Sequence, residues 1–268
     1  MKRLTGFPVL LVLMTLIILS SCDKENNGIN IFTIEDDKQL GMQMEQEIEN
    51  NPAEYPLLSK SQYAEAYQHI ERVRDSILAT GLVDYDTEFA WAVHIIRNDT
   101  VLNAFCTPGG YIYFYTGIIK FLDNEAEFAG IMAHEMAHAA RRHSTQQMTK
   151  AYGLQVLLSV VLGENPALLA QMAADLAAGV SMLAFSRDDE YESDEYSVKY
   201  LYETSYDARG VAGFFEKMDA TSPVPEFLST HPNPGNRVEK IYEIWQELGG
   251  KEGEEYPERY QQFKNSLP

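Results

Sequence analysis

The sequence predicts a mainly helical α+β domain in which a small, mostly antiparallel sheet stands just before one chemically loaded helix. Helical spacing of apolar residues recurs along the chain, as in Tyr63, Ala66, Tyr67, Ile70, Val73 and Ile77. Between the helical stretches lies one block rich in β-branched and aromatic residues, Phe89 to Ile96, Val101 to Cys106 and Tyr111 to Tyr115. The helix that follows carries His134-Glu135-Met136-Ala137-His138, after the strong helix formers and apolar stripe of residues 125–133. Histidines four apart leave one face of a helix and can close on a single metal ion, with Glu135 beside them to hold a water. Three of the chain's six histidines, His134, His138 and His143, fall in this segment. A core helix carrying them by chance would bury imidazoles and a carboxylate without partners, which is costly.

The ends are read separately. Lys2 and Arg3 open a basic start, and Phe7 to Leu19 is an apolar run short for a bilayer span. It ends in Leu19-Ser20-Ser21-Cys22, which resembles a bacterial lipoprotein signal with Cys22 as the lipidated residue. Several acyl chains on Cys22 would anchor the chain stably to a membrane. The expected organisation is a signal peptide over 1–21, a flexible tether over 22–32, one domain over 33–250 and a polar acidic tail over 251–268 with little to pack. Losing Lys2 and Arg3 with the signal takes the formal charge from −19 to −21. So acidic a protein is a poor partner for nucleic acid, whose affinity comes largely from phosphate neutralisation. Once Cys22 is lipidated only Cys106 remains, so no intrachain disulfide forms.

In chain order, Thr33 caps a helix reaching Asn50, with Glu35, Asp36 and Asp37 at its positive end. Pro52 and Pro56 break it, and a second helix runs from about Ser59 to Thr80 with His69 as a surface or packing residue. Asn98-Asp99 and Pro108-Gly109-Gly110 are the turns of the sheet, and His94 within its first strand is structural. Asn103 to Gly110 is the candidate edge against which an extended substrate would pair, because backbone hydrogen bonds read unfolded chain. Tyr152 to Ala184 is strongly apolar and broken at Gly163-Glu164-Asn165-Pro166. Buried helices beside the site fit it better than a membrane hairpin, since one half is short and the other carries Gln171 and Asp175. Helices follow over Ser186 to Glu203 and Val211 to Asp219, then a loop from Pro223 to Pro234 and a last helix to Leu248.

A catalytic zinc needs three protein ligands and an open position. The third is sought in Ser186-Arg187-Asp188-Asp189-Glu190-Tyr191-Glu192-Ser193-Asp194, where Glu190 and Asp194 share a face and Glu192 points elsewhere. One of the two can ligate while the other accepts a hydrogen bond from a ligating histidine. His143 falls about half a turn from the face of His134, which suits support behind the ligands rather than ligation.

With those residues in place, the sequence resembles the zinc metallopeptidases of family forty-eight, the CAAX prenyl protease and HtpX type, in the branch of soluble envelope proteases such as BepA. The resemblance rests on four ordered motifs: His134 to His143, Ser186 to Asp194, Asn103-Ala104-Phe105-Cys106-Thr107-Pro108-Gly109-Gly110, and Thr230-His231-Pro232 through Arg237. Ser193 stands where the family pattern has alanine, and Ala208 where proline is common. The resemblance implies a zincin-like fold of the gluzincin kind, one Zn2+ per chain, and Glu190 as third ligand. It also implies an edge strand at Asn103, Ala104 and Phe105, with His231 near the metal to stabilise an oxyanion or cap a resting zinc. Asp194, Arg237 and His143 would support the ligands, with Arg237 also behind His231. Membrane helices and C-terminal helical repeats of those relatives have no counterpart in the sequence.

The expected function is a lipid-anchored zinc endopeptidase of the bacterial envelope, at the outer membrane facing the periplasm or exported to the surface. It would hydrolyse unfolded or misassembled envelope proteins, with Glu135 as general base and His231 as its catalytic partner. The alternative is a zinc-containing holdase or assembly factor, against which an intact Glu135 argues, since binding needs no general base. The anchor has its own test. Cys22→Ser is expected to block lipoprotein processing and release the chain from membranes, read by mass spectrometry of the mature N-terminus and by fractionation.

Overall fold

The computed structural model describes residues 30–152, 163, 166–178, 184–219, 227–232 and 235–268. The expected signal segment with Cys22, parts of the apolar stretch between 153 and 183, and parts of the expected loop from Pro223 to Pro234 lie outside the described residues. Among the described residues, no helix is long and apolar enough to cross a membrane.

Helix α1 (Ile34–Glu49) starts where expected. Thr33 accepts from the Asp36 backbone N–H while Asp36 accepts from that of Thr33, closing a capping box. Helix α2 (Ala64–Leu78) begins a turn later than its periodicity suggests, because residues 59–63 form turns and Tyr63 caps without a side-chain bond. The three strands β1 (Ala92–Ile96), β2 (Ala104–Thr107) and β3 (Tyr111–Tyr115) lie in the order β1-β3-β2. The sheet is small, as predicted, but mixed. β2 pairs antiparallel with β3, whereas β1 pairs parallel with β3 in the register Ala92↔Tyr111 to Ile96↔Tyr115. The cause is the excursion over residues 97–103, which docks beside helix α3 (Thr116–Phe121). There the Thr116 hydroxyl donates to Asp99 and accepts from the Asn98 N–H. β1 therefore has no hairpin to β2, and the second strand of the β2–β3 hairpin takes the central place. Gly109 and Gly110 make that hairpin's turn at φ +76° and +82°, values costly for any residue with a Cβ.

Side chains alternate across the sheet as a period of two requires. Val93, Ile95, Ala104, Cys106, Ile112 and Phe114 face the larger core, with α2 and helix α4 (Glu125–Ala140). Ile96, Phe105, Tyr111, Tyr113 and Tyr115 face a smaller core built with α1 and helix α6 (Pro166–Ala178). On that face His94 stacks on Tyr113 at 4.9 Å and reaches Glu45 of α1 at 3.0 Å, the structural role expected of it.

Helices α5 (His143–Tyr152), α7 (Arg187–Tyr202), α8 (Gly210–Asp219), the short α9 (Phe227–Thr230) and α10 (Arg237–Glu247) complete the wall around α4. All sixteen residues of α4 are buried. α8 meets it backbone to backbone, and a Cβ on Gly210 would lie 1.9 Å from the Ala126 carbonyl.

The segment after Gly249 corrects the reading of a tail with little to pack. It forms helix α11 (Pro257–Asn265), and Tyr260 and Phe263 are 0% and 1% exposed. Two aromatics three apart suffice to bury one face of a short helix whose other positions are polar. Phe263 packs edge-on to Phe128 of α4 at 5.3 Å and on His69 at 5.4 Å, so His69 is a packing residue. Arg259 donates to the buried Glu125 at the start of α4. Phe263→Ala is expected to cost about 3–5 kcal/mol, the usual range for emptying a buried phenylalanine site, and to lower the melting temperature accordingly by calorimetry.

Candidate metal centre

The site is built by two long helices and the bend that follows a third, short one. Helix α4 begins with Asn124 accepting from the Glu127 N–H, and its 3.6-residue period places His134 and His138 one turn apart. Helix α7 begins with a second capping box, Ser186 with Asp189, and its first two turns supply Glu190 and Asp194. Helix α9 delivers His231, whose N–H bonds the Phe227 carbonyl and whose ring stacks on Phe227 at 4.2 Å.

His134, His138, Glu190 and His231 each offer one donor atom, and these atoms lie within 4.8 Å of one another, all four residues buried. His134 Nε2 is 3.0 Å from His138 Nε2 and 3.5 Å from Glu190 Oε2. His138 Nε2 is 3.4 Å from Glu190 Oε1, and His231 Nδ1 is 3.1 Å from the same oxygen and 3.3 Å from His134 Nε2.

Behind these donors, Asp194 Oδ1 lies 3.0 Å from His134 Nδ1. Arg237, at the start of α10, grips both oxygens of Asp194 at 2.6 Å and lies 2.9 Å from Glu190 Oε2. Its guanidinium also sits 3.9 Å over the Phe215 ring. Arg237 is thus committed to two carboxylates, a placement that corrects the expectation of it behind His231. His143, at the start of α5, lies with Nδ1 2.9 Å from His138 Nδ1 and Nε2 2.9 Å from Glu192. Phe185 stacks on His138 at 4.0 Å, a cover that nothing in its sequence position announces.

Glu135 stands apart. It is fully buried, and neither carboxylate oxygen has a partner in hydrogen-bond geometry among the described residues. His231 Nε2 is 3.4 Å from its Oε1, and burial pushes the carboxyl up despite the opposing pull of His231 and His134. The neighbouring Cys106 thiol on β2 is pushed well above its ordinary value by burial and by Glu135.

A divalent cation fits this set. Among the described residues, Glu135, Glu190 and Asp194 are three buried carboxylates beside the guanidinium of Arg237. With protein groups alone the imbalance falls on the imidazoles. Burial works against it, yet Asp194 and Glu190 raise His134 to about 9. Burial drives His138 well below its ordinary value, into the neutral form that ligates. Glu190 is held well below the usual carboxylate range by His231, His134 and His138, against its burial.

The edge strand lies alongside. The Tyr115 N–H donates to the Asn103 carbonyl, so the alternation of antiparallel pairs turns the backbone groups of Ala104 and Cys106 outward. Phe105 and Cys106 border a small pocket shared with His231 and closed by Met44, Met148, Leu176 and Phe185.

The model of peptidase family M48 matches residues 66–244, more than half of the chain and all of the site. The chain belongs to that family. Its mainly helical, zincin-like fold and its His–Glu cluster are those of a metallopeptidase. The chain is 31% identical over 181 residues to the mitochondrial metalloendopeptidase OMA1 of Schizosaccharomyces pombe, covering 65% of this chain and 52% of that protein. It is 30% identical over 157 residues to the beta-barrel assembly-enhancing protease of Escherichia coli K12, covering 54% of this chain and 32% of that one. The Yersinia pestis protease of the same name is 29% identical over 158 residues, again covering 54% of this chain and 32% of that one. The chain therefore spans about half the length of the yeast relative and a third of the bacterial ones.

The donor set yields a direct check. Glu190→Ala is expected to lose bound metal, and Asp194→Ala to weaken binding by about 10–100-fold, the usual effect of removing a partner behind a ligand. Metal content by mass spectrometry after dialysis reads both. Full occupancy in Glu190→Ala would move the third donor to another carboxylate.

Proposed function

We propose that this chain is a zinc-dependent endopeptidase of the bacterial envelope, anchored through Cys22, that hydrolyses unfolded or misassembled envelope proteins. The observation that carries the hydrolytic reading is Glu135. A fully buried carboxylate with no partner in hydrogen-bond geometry among the described residues, one residue from a metal ligand yet outside the donor set, costs stability and so points to a functional role.

His134, His138 and Glu190 would hold the ion, Asp194 and Arg237 fixing His134 and Glu190 in place. When bound, zinc would polarise the scissile carbonyl and lower the pKa of a water towards ~7. Glu135 accepts the proton of that water and passes it to the leaving amine, its burial keeping its basicity high enough for the exchange. His231 faces both ways, Nδ1 to the donor cluster and Nε2 to Glu135. In this arrangement it serves as the cap of a resting site. Drawn back from the cluster, it becomes the donor that stabilises the developing oxyanion.

The substrate would lie along β2, pairing with the outward backbone groups of Ala104 and Cys106, and Asn103 and Phe105 flank that register. Backbone pairing of this kind accepts only extended chain, which supports unfolded proteins as the substrate class. The bacterial relatives' name, beta-barrel assembly-enhancing protease, supports the envelope setting.

A casein-type unfolded substrate tests the reading. Glu135→Gln is expected to keep fold and metal while losing hydrolysis by a factor on the order of 10²–10⁴. A chelator should stop the wild type, and Zn2+ should restore it. Hydrolysis by Glu135→Gln at the wild-type rate rules out the mechanism, and tight substrate binding by every variant with no cleavage favours a holdase.

A further inference from the structure

The acidic run of α7 places a third carboxylate where the ligand assignment has no use for it. We propose that Glu192, acting through His143, is a positioning residue for the metal ligand His138; this rests on the metal reading of the cluster. His138 presents Nε2 to the other donors, 3.0 Å from His134 Nε2 and 3.4 Å from Glu190 Oε1. A neutral imidazole that gives Nε2 to a cation keeps its proton on Nδ1. That Nδ1 lies 2.9 Å from His143 Nδ1, so His143 must accept there and carry its own proton on Nε2.

Nε2 of His143 lies 2.9 Å from Glu192 Oε2, and the carboxylate takes that proton's hydrogen bond. The order cannot be reversed. A His143 protonated on Nδ1 would set two N–H groups face to face at 2.9 Å and leave Glu192 opposite a lone pair. Glu192 is itself fixed, because Arg141 Nε donates to its Oε1 at 2.9 Å while Nη1 of the same guanidinium donates to Asp84 at 3.0 Å. Ser193, standing where the family pattern has alanine, places its Oγ 3.3 Å from His143 Nδ1 as a second, weaker contact. His138 and His143 are fully buried, whereas the Glu192 side chain is 26% exposed, so water reaches this arrangement only at its carboxylate end.

The two ligating histidines are therefore held differently. Asp194 meets His134 directly, whereas Glu192 reaches His138 through an interposed neutral imidazole. Both carboxylates come from one helix, two residues apart, and both follow the ligand Glu190 in it. This arrangement makes the acidic run a single device: Glu190 ligates, and Glu192 and Asp194 each set the tautomer of one histidine.

The test measures Zn2+ affinity by competition with a chromophoric chelator, and the visible spectrum of the Co2+-loaded chain. Variants are Glu192→Ala, Glu192→Gln, His143→Phe and the double variant of Glu192→Ala with His143→Phe. Glu192→Ala is expected to weaken Zn2+ by about 10–100-fold and shift the Co2+ bands. Glu192→Gln recovers part of this, because its amide oxygen still accepts from His143 while its NH2 takes the place of the oxygen that accepted from Arg141. On the His143→Phe background, Glu192→Ala should add less than about twofold, the non-additivity of residues acting as one chain. Wild-type affinity and spectrum in Glu192→Ala, or a loss that adds in full to that of His143→Phe, overturns the proposal. If Glu192→Ala does not fold, Glu192→Gln reads the same coupling as a smaller loss present with His143 and absent without it. A wild-type chain that binds no Zn2+ overturns the metal reading itself, and this inference with it.

Discussion

Three carboxylates closed off from water around one guanidinium create a demand for positive charge at the centre of this protein. Removing such groups from solvent costs several kcal/mol each unless opposite charge and hydrogen bonds compensate. Arg237 meets part of the demand through Asp194 and Glu190, and a divalent ion brings the formal sum to zero. The surrounding architecture serves that constraint. α4 is buried along its whole length, α7 lies against it with its acidic first turns, and α8 closes in at backbone distance through Gly210. A rigid wall of this kind holds donor atoms at fixed separation, which a metal site on loops alone would not achieve.

The helix that bears the histidines is clamped at both ends. At its start Glu125 receives Arg72, Arg259 and Tyr206, three donors from three different segments. At its end the chain turns sharply. Arg142 adopts φ +62°, its guanidinium reaches Asp37 of α1 and the Phe32 carbonyl, and the next residue opens α5. That turn is what brings His143 against His138.

Much of this was legible in the sequence because it follows from short-range rules. The Thr33 cap, the four-residue spacings of His134 with His138 and of Glu190 with Asp194, and the edge strand depend only on local geometry. What escaped depends on breaks in that geometry. Placing His143 half a turn away assumes one continuous helix, and the helix ends before it. Neighbouring strands suggest a meander, yet the docking of residues 97–103 beside α3 makes β1 and β3 parallel. Glu192, dismissed by its position on the α7 face, becomes relevant only through that displaced histidine. α11 was hidden by composition, since Tyr260 and Phe263 sit among charged neighbours and their burial is decided by Phe128 on a distant segment.

The division of the sheet's two faces has a consequence for how the molecule breathes. The face towards α4 belongs to the larger core, whereas the other is covered by α1 and α6 over a smaller apolar cluster. That second layer also buries polar atoms without hydrogen-bond partners among the described residues, at Tyr113, Thr107, Asn103 and Gln43. Sub-global opening draws on the least favourable contacts first, so amide protons of α1 and α6 are expected to exchange before those of α4 and α7. A partly opened form of this kind would expose the Phe105 side of β2 while the donor atoms on α4 and α7 kept their spacing, two behaviours that a uniformly packed interior could not separate.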